Sequence, residues 1–232
     1  MKQNFPISHQ YSSKSFDERI KFLILHFTAV DFKTSLDLLK NQVSAHYLIS
    51  EPPVEIFQLV AEDHRAWHAG ESFWAGRTNL NDSSIGIEIV NLDGNKNSYP
   101  DEQIEAVMLL CKQIIARHNI APNCVLGHSD IAPLRKDDPG ILFPWRKLYE
   151  NGIGAMVDSI DIEGLDKIPT ALELQQNLAK YGYQIDLTGA MDEQTKGVLD
   201  AFRKHFCPDL VGKNIDLKSY ATLLALIKKY KN

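Results

Sequence analysis

Between Val125 and Gly140 the chain gathers His128, Asp130, Lys136, Asp137 and Asp138 on one short stretch punctuated by Pro133, Pro139 and Gly140. An imidazole, an ammonium and several carboxylates on one loop can hold a divalent cation and move protons. The stretch follows Cys124-Val125-Leu126, which reads as a strand, and rigid strand ends are where catalytic loops are anchored. A second imidazole, His26, interrupts the apolar run Phe22-Leu23-Ile24-Leu25-His26-Phe27. Two histidines and one aspartate around zinc leave a fourth position open, the form zinc takes when it promotes hydrolysis. A lone histidine in an apolar strand is more often a core residue, but the loop around His128 tips His26 toward a ligand. Which carboxylate joins them is left open by spacing. Asp130 suits orienting the loop or an imidazole from behind, as carboxylates near metal sites commonly do, while Asp137 and Asp138 remain equal on spacing alone. Asp138 precedes Pro139, which biases its backbone toward an extended form.

The elements that must position these groups alternate between strand and helix patterns. Residues 22–27 are continuously apolar, as in a strand buried on both faces. A short helix is expected around Leu36 and Leu39, and strands at 45–49 and 55–60, separated by the turn-forming Pro52-Pro53. Ser84-Ile85-Gly86-Ile87-Glu88-Ile89-Val90 alternates apolar with small or polar residues, so one face of that strand carries Glu88. The clearest helix runs from about Pro100 to His118, with Ile104, Val107, Met108, Cys111, Ile114 and Ile115 on one stripe. Pro100 suits its first position, and Asp101 and Glu102 suit the positive end of its dipole. Interleaved strands and helices indicate an α/β domain ending near Tyr149. From Asn151 to Pro169 the pattern loosens around Gly152, Gly154 and Gly164. Three helices follow, outlined by Leu172 to Tyr181, Asp192 to Phe206 and Leu217 to Tyr230.

The totals narrow the classes. A chain of 232 residues with formal net charge -5 is a poor candidate for nucleic acid binding. Apolar residues at 44% and charged residues at 24% are those of an ordinary globular protein. Cys111, Cys124 and Cys207 cannot complete a disulfide framework, and Cys111 and Cys124 read as small buried hydrophobes. The first twenty residues are polar, without the apolar core of a signal peptide, and no run approaches the ~20 apolar residues of a membrane span. The chain reads as soluble.

Five segments, in order, carry a resemblance: Ile24-Leu25-His26-Phe27-Thr28, Ser44-Ala45-His46-Tyr47, Ala66-Trp67-His68-Ala69-Gly70, Asn81 to Glu88, and His128 to Gly140. Together they closely resemble the zinc-dependent N-acetylmuramoyl-L-alanine amidases, the family related to peptidoglycan recognition proteins, and within it the AmiD-like branch with a helical module after the amidase domain. The resemblance implies a mixed central sheet flanked by helices, with an amidase domain over 20–150, an N-terminal extension over 1–19, a linker over 151–169 and a small all-α domain over 170–232. It implies one zinc ion held by His26, His128 and Asp138, with Glu88 and Lys136 as catalytic residues. Trp67, His68, Arg77 and Tyr47 are expected at the substrate. Residues Leu174 to Leu178, Tyr181-Gly182-Tyr183, Thr188-Gly189, Asp192, Thr195 and Phe202 resemble peptidoglycan-binding domains, although Phe202-Arg203 stands where that family has Phe-Gln.

The expected reaction is hydrolysis of the amide between N-acetylmuramic acid, or its anhydro form, and L-alanine, for turnover or recycling of the cell wall. Two rivals differ in class: a non-catalytic peptidoglycan receptor, which would lack a ligand or catalytic residue, and a zinc peptidase cutting within the stem peptide. The expected partner is peptidoglycan or a muropeptide and the expected state a monomer. The expected location is the cell envelope, with a cytoplasmic recycling role as the alternative.

Overall fold

The structure is a computed structural model that describes residues 7–162, 165 and 167–231. Gly164 of the expected linker and the first six residues of the expected extension lie outside the described residues. Along the chain run β1 (Phe22–Phe27), α1 (Phe32–Asn41), β2 (Tyr47–Ile49), β3 (Ile56–Gln58), β4 (Phe73–Trp74), β5 (Arg77–Thr78) and β6 (Ser84–Ile89). There follow α2 (Asp101–His118), β7 (Val125–Gly127), α3 (His128–Ile131), α4 (Trp145–Glu150), α5 (Ala171–Tyr181), α6 (Glu193–Phe206) and α7 (Leu217–Tyr230).

Five strands form one mixed sheet in the order β3-β2-β6-β1-β7. β1 lies parallel to both β6 and β7, β2 is parallel to β6, and only the edge strand β3 is antiparallel. β1 and β6 are in register with His26 opposite Glu88. Successive side chains of a strand point to opposite faces. Leu23 and Leu25 of β1, with Ile85, Ile87 and Ile89 of β6, therefore pack on one face, beneath Ile104, Val107, Cys111 and Ile114 of α2. Met108 and Ile115 reach only the margin of this core, and Leu110 joins it. Pro100 caps α2 from outside, one place before the position expected for it, and Asp101 and Glu102 occupy the first turn.

The opposite face carries Phe22, Ile24 and His26 on β1 and Ser84, Gly86 and Glu88 on β6. Phe22, Ile24 and Leu126 pack there in one continuous core with Leu178 of α5, Phe202 of α6 and Leu226 of α7. The three C-terminal helices are thus a second layer on the sheet. Each begins at a side-chain cap: Thr170 accepts from the Glu173 N–H, Asp192 from that of Thr195, and Asp216 from that of Ser219. Arg203 is fully buried. Its guanidinium bonds Asp216 at 2.6 Å and the Lys213 and Asn214 carbonyls, tying α6 to the start of α7. The expected linker is tied down at its beginning, since Ile153, Ala155, Met156 and Val157 are buried. Among the described residues no helix is long and apolar enough to cross a membrane.

Candidate active site

His26 is the last residue but one of β1, Glu88 is its neighbour on β6, and His128 is the first residue after β7, so all three stand at the carboxyl ends of parallel strands, where α/β sheets place ligands. His26 Nδ1 lies 2.9 Å from His128 Nδ1 and 2.9 Å from Asp138 Oδ2, and His128 Nδ1 lies 3.0 Å from the same oxygen. All three residues are buried. Of the three aspartates that the sequence left in competition, Asp138 is the one that turns into the cluster. Asp137 faces outward to Lys204, and Asp130 accepts the Gly127 N–H at 2.8 Å.

The outer hydrogen bonds decide where the protons are. His128 Nε2 lies 3.0 Å from the Ala69 carbonyl, which can only accept, so Nε2 carries a proton and in the neutral imidazole Nδ1 is bare. Ser84 Oγ donates to the Leu80 carbonyl at 2.6 Å and is therefore free to accept from His68 Nε2 at 3.1 Å. His68 is held neutral by burial, which drives its pKa well below the ordinary histidine value, with further lowering from His26 and the neighbouring imidazoles. Its Nδ1 is then an acceptor for the Nε2–H of His26 at 2.9 Å, which leaves His26 Nδ1 bare as well. Burial, reinforced by His128, lowers the His26 pKa to about 4. Three electron pairs thus converge within 3.0 Å with no proton between them. Such a cluster is repulsive unless a cation sits among its members, and two imidazoles with one carboxylate are a donor set for a transition metal.

The bed under this cluster is built by small residues and backbone. Gly86 lets the His68 ring lie on β6, for a Cβ there would come within 2.4 Å of it. Asn81 Oδ1 accepts the N–H groups of His68 and Ala69, and Arg135 donates to the Ala69 and Glu71 carbonyls at 2.8 and 2.6 Å. Glu88 Oε1 is 4.0 Å from His26 Nδ1, and its buried Oε2 has no hydrogen-bond partner among the described residues. Burial first, and then the Asp138 charge, raise its pKa well above that of an ordinary glutamate, with Lys136 opposing. A cavity of about 350 Å³ opens over the cluster, walled in part by Thr28, Trp67, His68, Glu88, Arg135 and Lys136. Trp67 is 55% exposed at its rim, with the Arg65 guanidinium 3.9 Å over the ring.

A family model described as N-acetylmuramoyl-L-alanine amidase matches residues 16–141. The chain belongs to the N-acetylmuramoyl-L-alanine amidase family. Its reaction is hydrolysis of the amide between N-acetylmuramic acid and L-alanine. This amidase is 40% identical to N-acetylmuramoyl-L-alanine amidase AmiD of Escherichia coli, over 99% of this chain and 90% of that protein. A solved structure of E. coli AmiD in complex with the substrate anhydro-N-acetylmuramic acid-L-Ala-D-gamma-Glu-L-Lys superposes with a TM-score of 0.90 at 39% identity, covering 99% of this chain and 97% of the other. AmpDh3 of Pseudomonas aeruginosa, crystallised with an anhydromuramic pentapeptide, gives 0.90 at 40% identity and covers 98% of both chains.

Two residues expected at the amidase's substrate stand elsewhere. Tyr47 is opposite Ile87 and faces the core beneath α2, with its hydroxyl donating to Glu62 at 2.6 Å. Alternation along β2 turns it away from the face that bears Glu88. Arg77 is exposed on the β4–β5 hairpin, outside the cavity wall, because the hairpin is anchored by Trp74 against Tyr183. His68 does line the cavity, yet both of its ring nitrogens are committed to His26 and Ser84. His205 is buried 2.8 Å from Asp130, and the Tyr183 hydroxyl reaches the same carboxylate at 2.6 Å. These pairings span 75 and 53 residues, and no local pattern announces them.

Proposed function

We propose that His26, His128 and Asp138 hold one zinc ion and that the chain uses it to cleave the amide joining the lactyl group of a muramyl residue to the L-alanine of its stem peptide. The observation that carries this reading is the convergence of two bare imidazole nitrogens and a carboxylate oxygen within 3.0 Å of one another. Zinc bound there supplies Lewis acidity, polarising a carbonyl and bringing the pKa of water toward ~7.

The protein's own groups do the rest. Glu88, desolvated beside the cluster, takes a proton from water at Oε2 and delivers it to the departing alanine nitrogen. A carboxyl whose pKa is pushed upward is matched to both tasks. Lys136, on the cavity wall, presents an ammonium to the carbonyl oxygen as that oxygen gains charge. His68 fixes the His26 tautomer through Nε2, and the Ala69 carbonyl does the same for His128. The exposed face of Trp67 offers an apolar platform for the sugar or the lactyl methyl.

Anhydromuramyl peptides are taken as substrates on the strength of the ligands held by the E. coli and P. aeruginosa relatives. Digestion of purified muropeptides, read by mass spectrometry, tests the reaction. Intact stem peptides bearing a free L-alanine amine are expected, whereas stem peptides cut internally, or no products, would overturn it.

We read the helical layer as a peptidoglycan-binding element and infer from that reading a location in the cell envelope; we further propose that the enzyme works as a monomer. Photo-crosslinking of the Glu88→Ala chain to sacculi should label residues beyond 170. Labels confined to the cavity would remove that role. Fractionation of cells producing the native protein tests location, and light scattering of the purified chain tests the monomer.

A further inference from the structure

The C-terminal helices touch the ligand-bearing loop at three places. At the first, the buried Asp130 carboxylate accepts the Tyr183 hydroxyl on Oδ1 at 2.6 Å, while Oδ2 accepts the N–H of Gly127 at 2.8 Å and lies 2.8 Å from His205 Nδ1. Gly127 and Ser129 flank His128, and the Ser129 N–H donates to the Asp138 carbonyl at 2.9 Å. One carboxylate therefore ties two side chains of the helical layer to the turn that presents His128, and that turn is bonded to the backbone of Asp138. His205 cannot swing away, because its ring is stacked between Trp145 and Phe206 at centroid distances of 3.8 and 4.0 Å. At the second place Lys204 pairs with Asp137, the residue before Asp138. At the third, Leu134 seats on α6 over Gly197, where a Cβ would come within 2.4 Å of it.

We propose that Tyr183 and His205 are positioning residues of the metal centre: acting through Asp130, they set the His128 turn, so the helical layer is a working part of the active site as well as a wall-binding element. The proposal rests on the reading that His26, His128 and Asp138 hold a metal. Groups one step behind metal ligands typically change metal affinity by about 10- to 100-fold when removed.

The test uses the full chain. Tyr183→Phe keeps the ring against Trp74 and His205→Phe keeps the stack, so each removes only a donor, while His205→Asn returns an N–H near the place of Nδ1. Zinc affinity is measured by competition with a chromogenic chelator, and kcat and KM are measured on a soluble anhydromuropeptide. The double variant Tyr183→Phe/His205→Phe is expected to hold zinc about 10-fold or more weakly, with kcat reduced and KM little changed, and His205→Asn is expected to retain most of the parent's affinity. If the double variant does not fold, each single variant is read in the same way. Zinc affinity and kcat equal to the parent's, with only a lower melting temperature, would overturn the proposal. Absence of zinc binding by the parent would instead overturn the metal reading beneath it, and measuring the parent first keeps the two failures apart.

Discussion

His26 and Glu88 sit side by side on paired strands, yet substitutions at the two should fail in different ways. His26 Nδ1 is one of three electron pairs aimed at a single point, so His26→Ala should yield a folded protein without stoichiometric metal, measured by elemental analysis. Glu88 lies outside that triangle, with Oε1 4.0 Å from His26 Nδ1. Glu88→Ala should keep its metal and lose activity by about 10²- to 10⁴-fold, the usual contribution of a positioned acid or base. Near-parent turnover in that variant would mean that another group carries the proton. The ligand types were legible in the sequence because the proline-bounded loop around His128 gives a second ligand to an imidazole that, alone in an apolar strand, would more often be a core residue. The choice of Asp138 over Asp137 was not legible, because adjacent residues differ only in which way the loop turns them. Tyr47 was misplaced for a related reason: the assignment rested on a motif, while alternation along β2 decides its direction.

At the scale of elements, β6 owes its shape to Gly86. The His68 ring fills the space where a Cβ would be and cannot retreat without leaving His26 Nε2. Gly86→Ala should therefore destabilise the fold by about 1–3 kcal/mol, the usual cost of an extra methyl in a packed site. The denaturant midpoint should fall together with metal affinity, and an unchanged midpoint would show that the ring yields freely. A second junction joins β2, α2 and the loop after β3, where Glu62 accepts from Tyr47, Arg117 and His118. Burial opposes ionisation of Glu62, but those three partners outweigh it and lower its pKa from 4.5 to about 2. A carboxylate depressed in the folded state stabilises above its ordinary pKa and loses that contribution as the pH falls through the folded value. The melting-temperature advantage of the parent over Glu62→Gln should thus be full at pH 6 and shrink between pH 4.5 and 2. A constant gap would mean that the network does not depend on the charge. The five strands of the main sheet and the longer helices were legible from periodicity, and the caps at Thr170 and Asp192 agree with it, whereas the short β4, β5, α3 and α4 were not. The Glu62 junction was not, since its donors lie 15, 55 and 56 residues away.

Across the whole molecule, the sheet joins two large apolar cores and a smaller one around Leu39, Ala45, Leu48 and Val90, and the large core facing the C-terminal helices is built from distant parts of the chain. Phe22 and Ile24 pack with Leu178, Phe202 and Leu226. The sequence suggests separable parts because glycines and acids cluster after Asn151, yet Ile153 and Met156 are buried in the other large core. Calorimetry should therefore record a single cooperative transition. Two resolved transitions would show that the helical layer melts alone. The pairing of His26 with Glu88 has a consequence at this scale too. Their separation is set by the backbone ladder of adjacent strands, so it persists whatever happens at the mouth of the cleft. Exchange of Trp67 or of the segment around it could retune which sugar or peptide is admitted while the hydrolytic pair keeps its spacing. Redesign toward other muramyl amides has a natural starting point on that rim.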